Sequence, residues 1–174
     1  MLIPVAGGAL FGIWLLVPVF GIYFALKLAR AGQAPPSGWE VALRAIISLA
    51  VIAGIIALTT LLISNPISLI PILGALTLGA AVFLMRKSWP ALFSTLVSYG
   101  WAARIPVVVI MFFAIMANWG THYDGTPPDF PETGPFVEWF LTGVFPQLTF
   151  WMAFTIIVGM LFGGVAAALR KGVL

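Results

Sequence analysis

The chain has 174 residues, of which 62% are hydrophobic and 7% charged, against roughly 45–50% and 25% in ordinary soluble domains. It cannot cover a water-facing surface, so its solvent is lipid, and the length leaves room for one helical domain (residues 1–174) with short connectors but no separate soluble module. The net charge of +3 comes from eight basic residues scattered near the ends of apolar runs, a distribution that forms no nucleic-acid patch, and the absence of cysteine excludes disulfide, thiolate-ligand and thiol-nucleophile chemistry.

A helix needs about 20 apolar residues to cross a hydrocarbon core of about 30 Å, and in lipid only helices or closed barrels satisfy every backbone group. The long, continuous apolar runs here predict an all-α, polytopic transmembrane bundle of about five spans. The first span covers about 3–26. It lacks the charged start of a signal peptide and is too long for one, so it is expected to stay in the mature protein. Lys27 and Arg30 stop it, and "AGQAPPSG" follows as loop. The second span covers about 41–63. Ser37 and Glu40 have the spacing of a capping box, and Glu40 can pair with Arg44 one turn on. "SNP" (Ser64 to Pro66) turns into the third span, about 67–85, which stops at Arg86 and Lys87.

The apolar run from Ile105 to Ala117 would rise only about 20 Å as a helix, too little to cross. It must join the segment before it into one long fourth helix, about 91–119, beginning near Trp89. At about 43 Å that helix exceeds the core, so it should tilt, kink at Pro106, or start in the interface. An outer loop (120–138) leads to the fifth span, about 141–169, which ends at Arg170 and Lys171.

Lysine and arginine collect on the cytoplasmic side of membrane proteins. With the N-terminus outside, five crossings put all eight basic residues on or near that side and Asp124, Asp129, Glu132 and Glu138 outside; only Glu40 departs, and it has Arg44. The expected location is a bacterial-type inner membrane, with the C-terminus cytoplasmic. Trp39, Trp89 and Trp101 should mark the inner interface, Trp119 and Trp139 the outer one, and Trp14 and Trp151 should be packing residues. Gly8/Gly12 and Gly159/Gly163 have GxxxG spacing, and Ala50/Gly54 and Ala75/Gly79 the looser small-residue form. Such pairs let helices approach closely, within the bundle or against a partner.

Two places carry candidate chemistry. Arg104 lies within the fourth helix beside Pro106, with no intramembrane acid to pair with. It reads either as an anchor reaching back to the interface or as a site for a lipid phosphate or other anion, whose geometry its guanidinium matches. The outer loop gathers His122, Asp124, Asp129 and Glu132, residue types that can hold a divalent metal, although the spacing matches no metal motif. No histidine lies in a span to ligate haem, no acid or histidine to relay protons, and no nucleotide-binding loop occurs. No cofactor is expected. The first functional reading is a non-catalytic membrane component, an accessory, scaffold or assembly subunit that packs against partner membrane proteins or itself. A small transporter or substrate-binding subunit using Arg104 is the alternative, and an outer-surface metal or enzymatic site around His122 the third.

Overall fold

The computed structural model describes residues 13–62, 69–126 and 130–171. Among these residues the protein is all-α and has five helices: α1 (Ile13–Arg30), α2 (Gly38–Leu62), α3 (Ile70–Met85), α4 (Pro90–Ala117) and a long bent α5 (Pro135–Arg170). Three of them, α2, α4 and α5, are long and apolar enough to cross a membrane, which marks an integral membrane protein. The described part of α1 is 18 residues long, and α3, with 16 residues, rises only about 24 Å. The start of the expected first span, with Gly8 and Gly12, and the Ser64–Pro66 turn lie outside the described residues.

Helix starts follow local chemistry. Proline stands in the first turn of α3, α4 and α5, where its missing N–H would find no partner in any case. At α2, the Ser37 hydroxyl accepts from the Glu40 N–H at 3.2 Å. The Glu40 carboxylate turns to Arg44, 2.6 Å away, and the two form an exposed i,i+4 pair. α4 runs without interruption through Pro106. It ends where Asn118 takes a left-handed conformation with φ 50° and the Trp119 N–H reaches back to the Ala114 carbonyl at 3.1 Å, a closure that satisfies the last carbonyls.

The marked bend lies in α5 rather than α4. After one α-helical turn from Pro135, the six residues Trp139–Val144 widen into a π-helical segment, and the Phe145 N–H bonds the Phe140 carbonyl five residues back. Pro146 follows within Phe145–Leu148. It has no N–H to give the preceding turn, and its ring crowds that turn's carbonyl, which the wider winding relieves. Ordinary α-helix resumes over Phe150–Lys171. The expected start of the fifth helix near 141 therefore moves to Pro135, and the connecting loop shortens.

α5 is the centre of the bundle. Its Phe150–Lys171 part packs against all four other helices, α1 and α4 on one side and the α2–α3 hairpin on the other. Close approach is possible because glycines line the contacts. A Cβ on Gly21 of α1 would stand 2.6 Å from the Gly159 carbonyl oxygen, and Leu92 and Leu96 of α4 fill the space over Gly163 and Gly159. Gly38 and Gly164 make the matching backbone contact between α2 and α5. The core consists of residues such as Ala25, Ala45, Met85, Leu92, Ile156 and Met160. Trp89 belongs to it as well. Only 2% exposed, it donates its indole N–H to the Gln33 carbonyl at 2.7 Å and pins the α1–α2 loop to the start of α4. This corrects the expectation that Trp89 lies in the lipid interface: a tryptophan at a span end suits either place, and the Gln33 carbonyl supplies the partner that its N–H needs on burial. Trp39, Trp101 and Trp119 remain exposed.

Candidate functional site

Leu92, Leu96, Gly100, Arg104 and Val108 recur every four residues along α4, and all are buried. They form the stripe that meets α5 antiparallel, so Leu92 faces Gly163, Leu96 faces Gly159, and Gly100 faces Met152 and Thr155. In that register Arg104 falls opposite the turn of Trp151 and Thr155. Its side chain lies inside the bundle, 4% exposed. One terminal nitrogen donates to the Thr155 hydroxyl at 3.3 Å, and the guanidinium carbon sits 5.2 Å from the centre of the Trp151 ring. The Thr155 hydroxyl is free to accept because its own proton goes to the Trp151 carbonyl, 2.8 Å away. Met152 packs over Gly100, one turn before Arg104, and Phe20 and Phe24 of α1 pack against Tyr99 beside it.

Two buried polar atoms in this part of the bundle have no hydrogen-bond partner among the described residues: the Arg104 Nε and the Gln147 side-chain oxygen. Gln147, Trp151 and Thr155 are spaced by four, one helical face across the end of the π segment's disturbance. One open donor, on α4, and one open acceptor, one turn before Trp151 in α5, are therefore present. The arrangement presents a positive charge held by an aromatic face and one hydroxyl, with no carboxylate in contact among the described residues. Chemically it can hold an anion or a water-linked polar group; it contains no nucleophile paired with a base. Pro106, two residues on, is exposed.

The outer-loop residues are arranged differently. Asp124 closes a 3-10 turn over His122–Asp124 by accepting from the N–H of Gly120 at 2.7 Å and from the N–H and hydroxyl of Thr121. Burial pushes the Asp124 carboxyl up, but these hydrogen bonds outweigh it and hold its pKa below the ordinary aspartate value. Its oxygens are thus engaged by its own loop. The exposed His122 ring lies beside Tyr123, and Glu132 is exposed. Asp129 lies outside the described residues. Among the described residues no three histidine, aspartate or glutamate side chains converge as a metal-ligand group.

Sequence reasoning singled out Arg104 but not its surroundings. Trp151 reads as packing, and Gln147 draws no notice. The signal available was the four-residue spacing of Gln147, Trp151 and Thr155, which becomes meaningful only when α5 is laid antiparallel to α4. Gly159 and Gly163 lie one and two turns further on, covered by α1 and α4. Comparison with protein-family models, with curated proteins and with solved structures finds no match.

Proposed function

We propose that this chain is a non-catalytic component of a bacterial-type inner membrane, crossing it five times with the N-terminus outside, and that α2 is the surface by which it packs against another transmembrane helix. The observation that carries this reading is an open small-residue seam. On α5 the glycines are covered, whereas on α2 Ala50, Ala53 and Gly54 are exposed, and a Cβ on Gly54 would meet nothing within 4 Å. α2 is also the least buried of the three long apolar helices. Small residues give a neighbouring backbone close access, the main source of helix association in lipid.

The test uses the cysteine-free background. Single cysteines at Ala50 and Gly54 are expected to crosslink in native membranes to a partner or a second copy, and Gly54→Leu to abolish the product while the bundle keeps its stability. Equal crosslinking from Phe83, which is 79% exposed on α3, would refute the choice of α2; no crosslinking from any position, with a strictly monomeric protein, would refute the reading itself. The crossing count has its own check: cysteines at Gly32 and Gly134 should label from opposite sides of the membrane.

One observation favours the second reading, a small transporter or substrate-binding subunit. The buried Arg104, with its Nε unpartnered and the Gln147 oxygen likewise open, is the kind of intramembrane charge that marks a substrate path. If that reading holds, Arg104→Met abolishes uptake or binding of an anion in proteoliposomes, and wild-type uptake by the folded variant removes it.

A further inference from the structure

We infer that the outward face of α3 is a binding site for one anionic diacyl phospholipid, with its phosphate at Arg86 and Lys87. A groove of about 580 Å³ runs along α3 against the π-to-α junction of α5, a size within the roughly 300–1,000 Å³ of ligand clefts. Its floor is apolar, formed by Ala75, Gly79, Val82 and Phe145. Its far end is closed at Gly74, where α3 comes into contact with Phe145 and Thr149. The other end is lined by Arg86 and Lys87, both exposed. From Ala75 to Arg86 the helix rises about 16 Å, a length suited to the inner part of an acyl chain lying parallel to α3.

A second hollow of about 300 Å³, lined by Arg44, Ile47, Phe83, Leu84 and Lys87, adjoins the first. Phe83 and Lys87 line both, so the exposed Phe83 ring stands as a partition, with Lys87 beneath it. This geometry matches a lipid with two chains and one charged head: a chain on each side of Phe83, and the phosphate where the cations meet. Charge selects the occupant. Arg86 and Lys87 are exposed, and among the described residues the only ion pair is Arg44 with Glu40, so these two cations face the groove end without a carboxylate. Basic clusters at this depth recognise anionic headgroups, and arginine offers a planar fork to phosphate. The inference requires membrane insertion but not the partner surface on α2, which lies on other residues.

Native mass spectrometry of the full chain released from nanodiscs containing equal phosphatidylglycerol and phosphatidylcholine of the same chain length tests it. Wild type is expected to retain one phosphatidylglycerol in preference to phosphatidylcholine by roughly fivefold or more, about the effect of one cation beside an anionic headgroup. The double variant R86Q/K87Q should lose the preference. Gly79→Leu leaves the charges intact and projects into open space, since nothing lies within 4 Å of a Cβ there; it should fold and lose the retained lipid. Ala75→Phe fills the same floor and serves if Gly79→Leu lowers expression. Equal retention of the two lipids by wild type overturns the inference. So does unchanged retention in the groove-filling variants, which would reduce the effect to general attraction at a basic helix end.

Discussion

Replacing Arg104 by methionine removes a charge while keeping most of the side-chain volume, and the expected result is a protein as stable as wild type or slightly more so. An arginine near the middle of a membrane helix costs about 2.5–3.5 kcal/mol on insertion scales. Against this stand the Trp151 ring 5.2 Å away, worth about 2 kcal/mol for a desolvated cation, and one long hydrogen bond to Thr155 at 3.3 Å, worth about 0.6 kcal/mol between membrane helices. The terms nearly cancel, and the unpartnered Nε leaves the balance slightly unfavourable to arginine. Replacing a buried charge with apolar volume is often neutral or stabilising for this reason. Arg104→Met should therefore change the unfolding free energy by less than about 1 kcal/mol, measured by reversible SDS titration in mixed micelles. Arg104→Ala is the wrong probe, because the cavity it leaves costs about 2–4 kcal/mol by itself. Thr155→Val in the wild-type background strands the guanidinium and should cost about 1–3 kcal/mol; in the methionine background that cost should vanish. A loss above about 2 kcal/mol for Arg104→Met would refute the reasoning, since the guanidinium would then have to be held by far more than Trp151 and Thr155.

Glycine replacements separate the core seam from the open face. In Gly21→Ala the new Cβ would stand 2.6 Å from the Gly159 oxygen and 2.8 Å from its Cα, backbone atoms that cannot swing away, and the expected cost is about 1–3 kcal/mol. Gly54→Ala meets nothing and should gain about 0.5–1 kcal/mol in the same titration; equal effects would contradict the assignment of α1 against α5. The outer turn should be acid-sensitive. Because the folded Asp124 pKa lies below the ordinary value, its stabilisation is complete above the unfolded aspartate pKa and is lost as pH falls through the lower folded value. Protection of the Gly120 and Thr121 amides against hydrogen exchange, taken relative to the intrinsic rate at each pH, should fall across that acidic window in wild type and show no such step in Asp124→Asn.

Much of the helical framework was legible in the chain. Apolar runs located the helices, and Ser37 with Glu40 formed one of the two bonds of the expected capping box while Glu40 paired with Arg44, local effects that need no tertiary partner. The α5 boundary was not legible: Pro135 read as part of the outer loop, yet it starts the helix, and the π-helical widening before Pro146 has no signature in the apolar run. Trp89 was misplaced because composition cannot tell a lipid-facing indole from one whose N–H finds a carbonyl 56 positions away. For Arg104 the sequence supplied the residue and the question of its direction. The answer depends on Gly100 one turn below, which brings α5 close enough for Trp151 and Thr155 to receive the guanidinium. Lys87 and Arg86 carried an orientation signal in sequence, but their position at the mouth of a groove is visible only in three dimensions.

The helix that touches all the others is also the last of the five to be synthesised. α1 and α4 contact each other, as do α2 and α3, but every glycine-lined approach between the two pairs runs through α5. The first four helices must therefore wait, with the surfaces around Gly21, Gly38 and Leu96 uncovered, until the fifth arrives to fill the gap. Assembly is governed by contacts between distant parts of the chain, which slow folding, and any ribosome that stalls before Phe150 leaves a set of loose hairpins for quality control instead of a smaller version of the same protein.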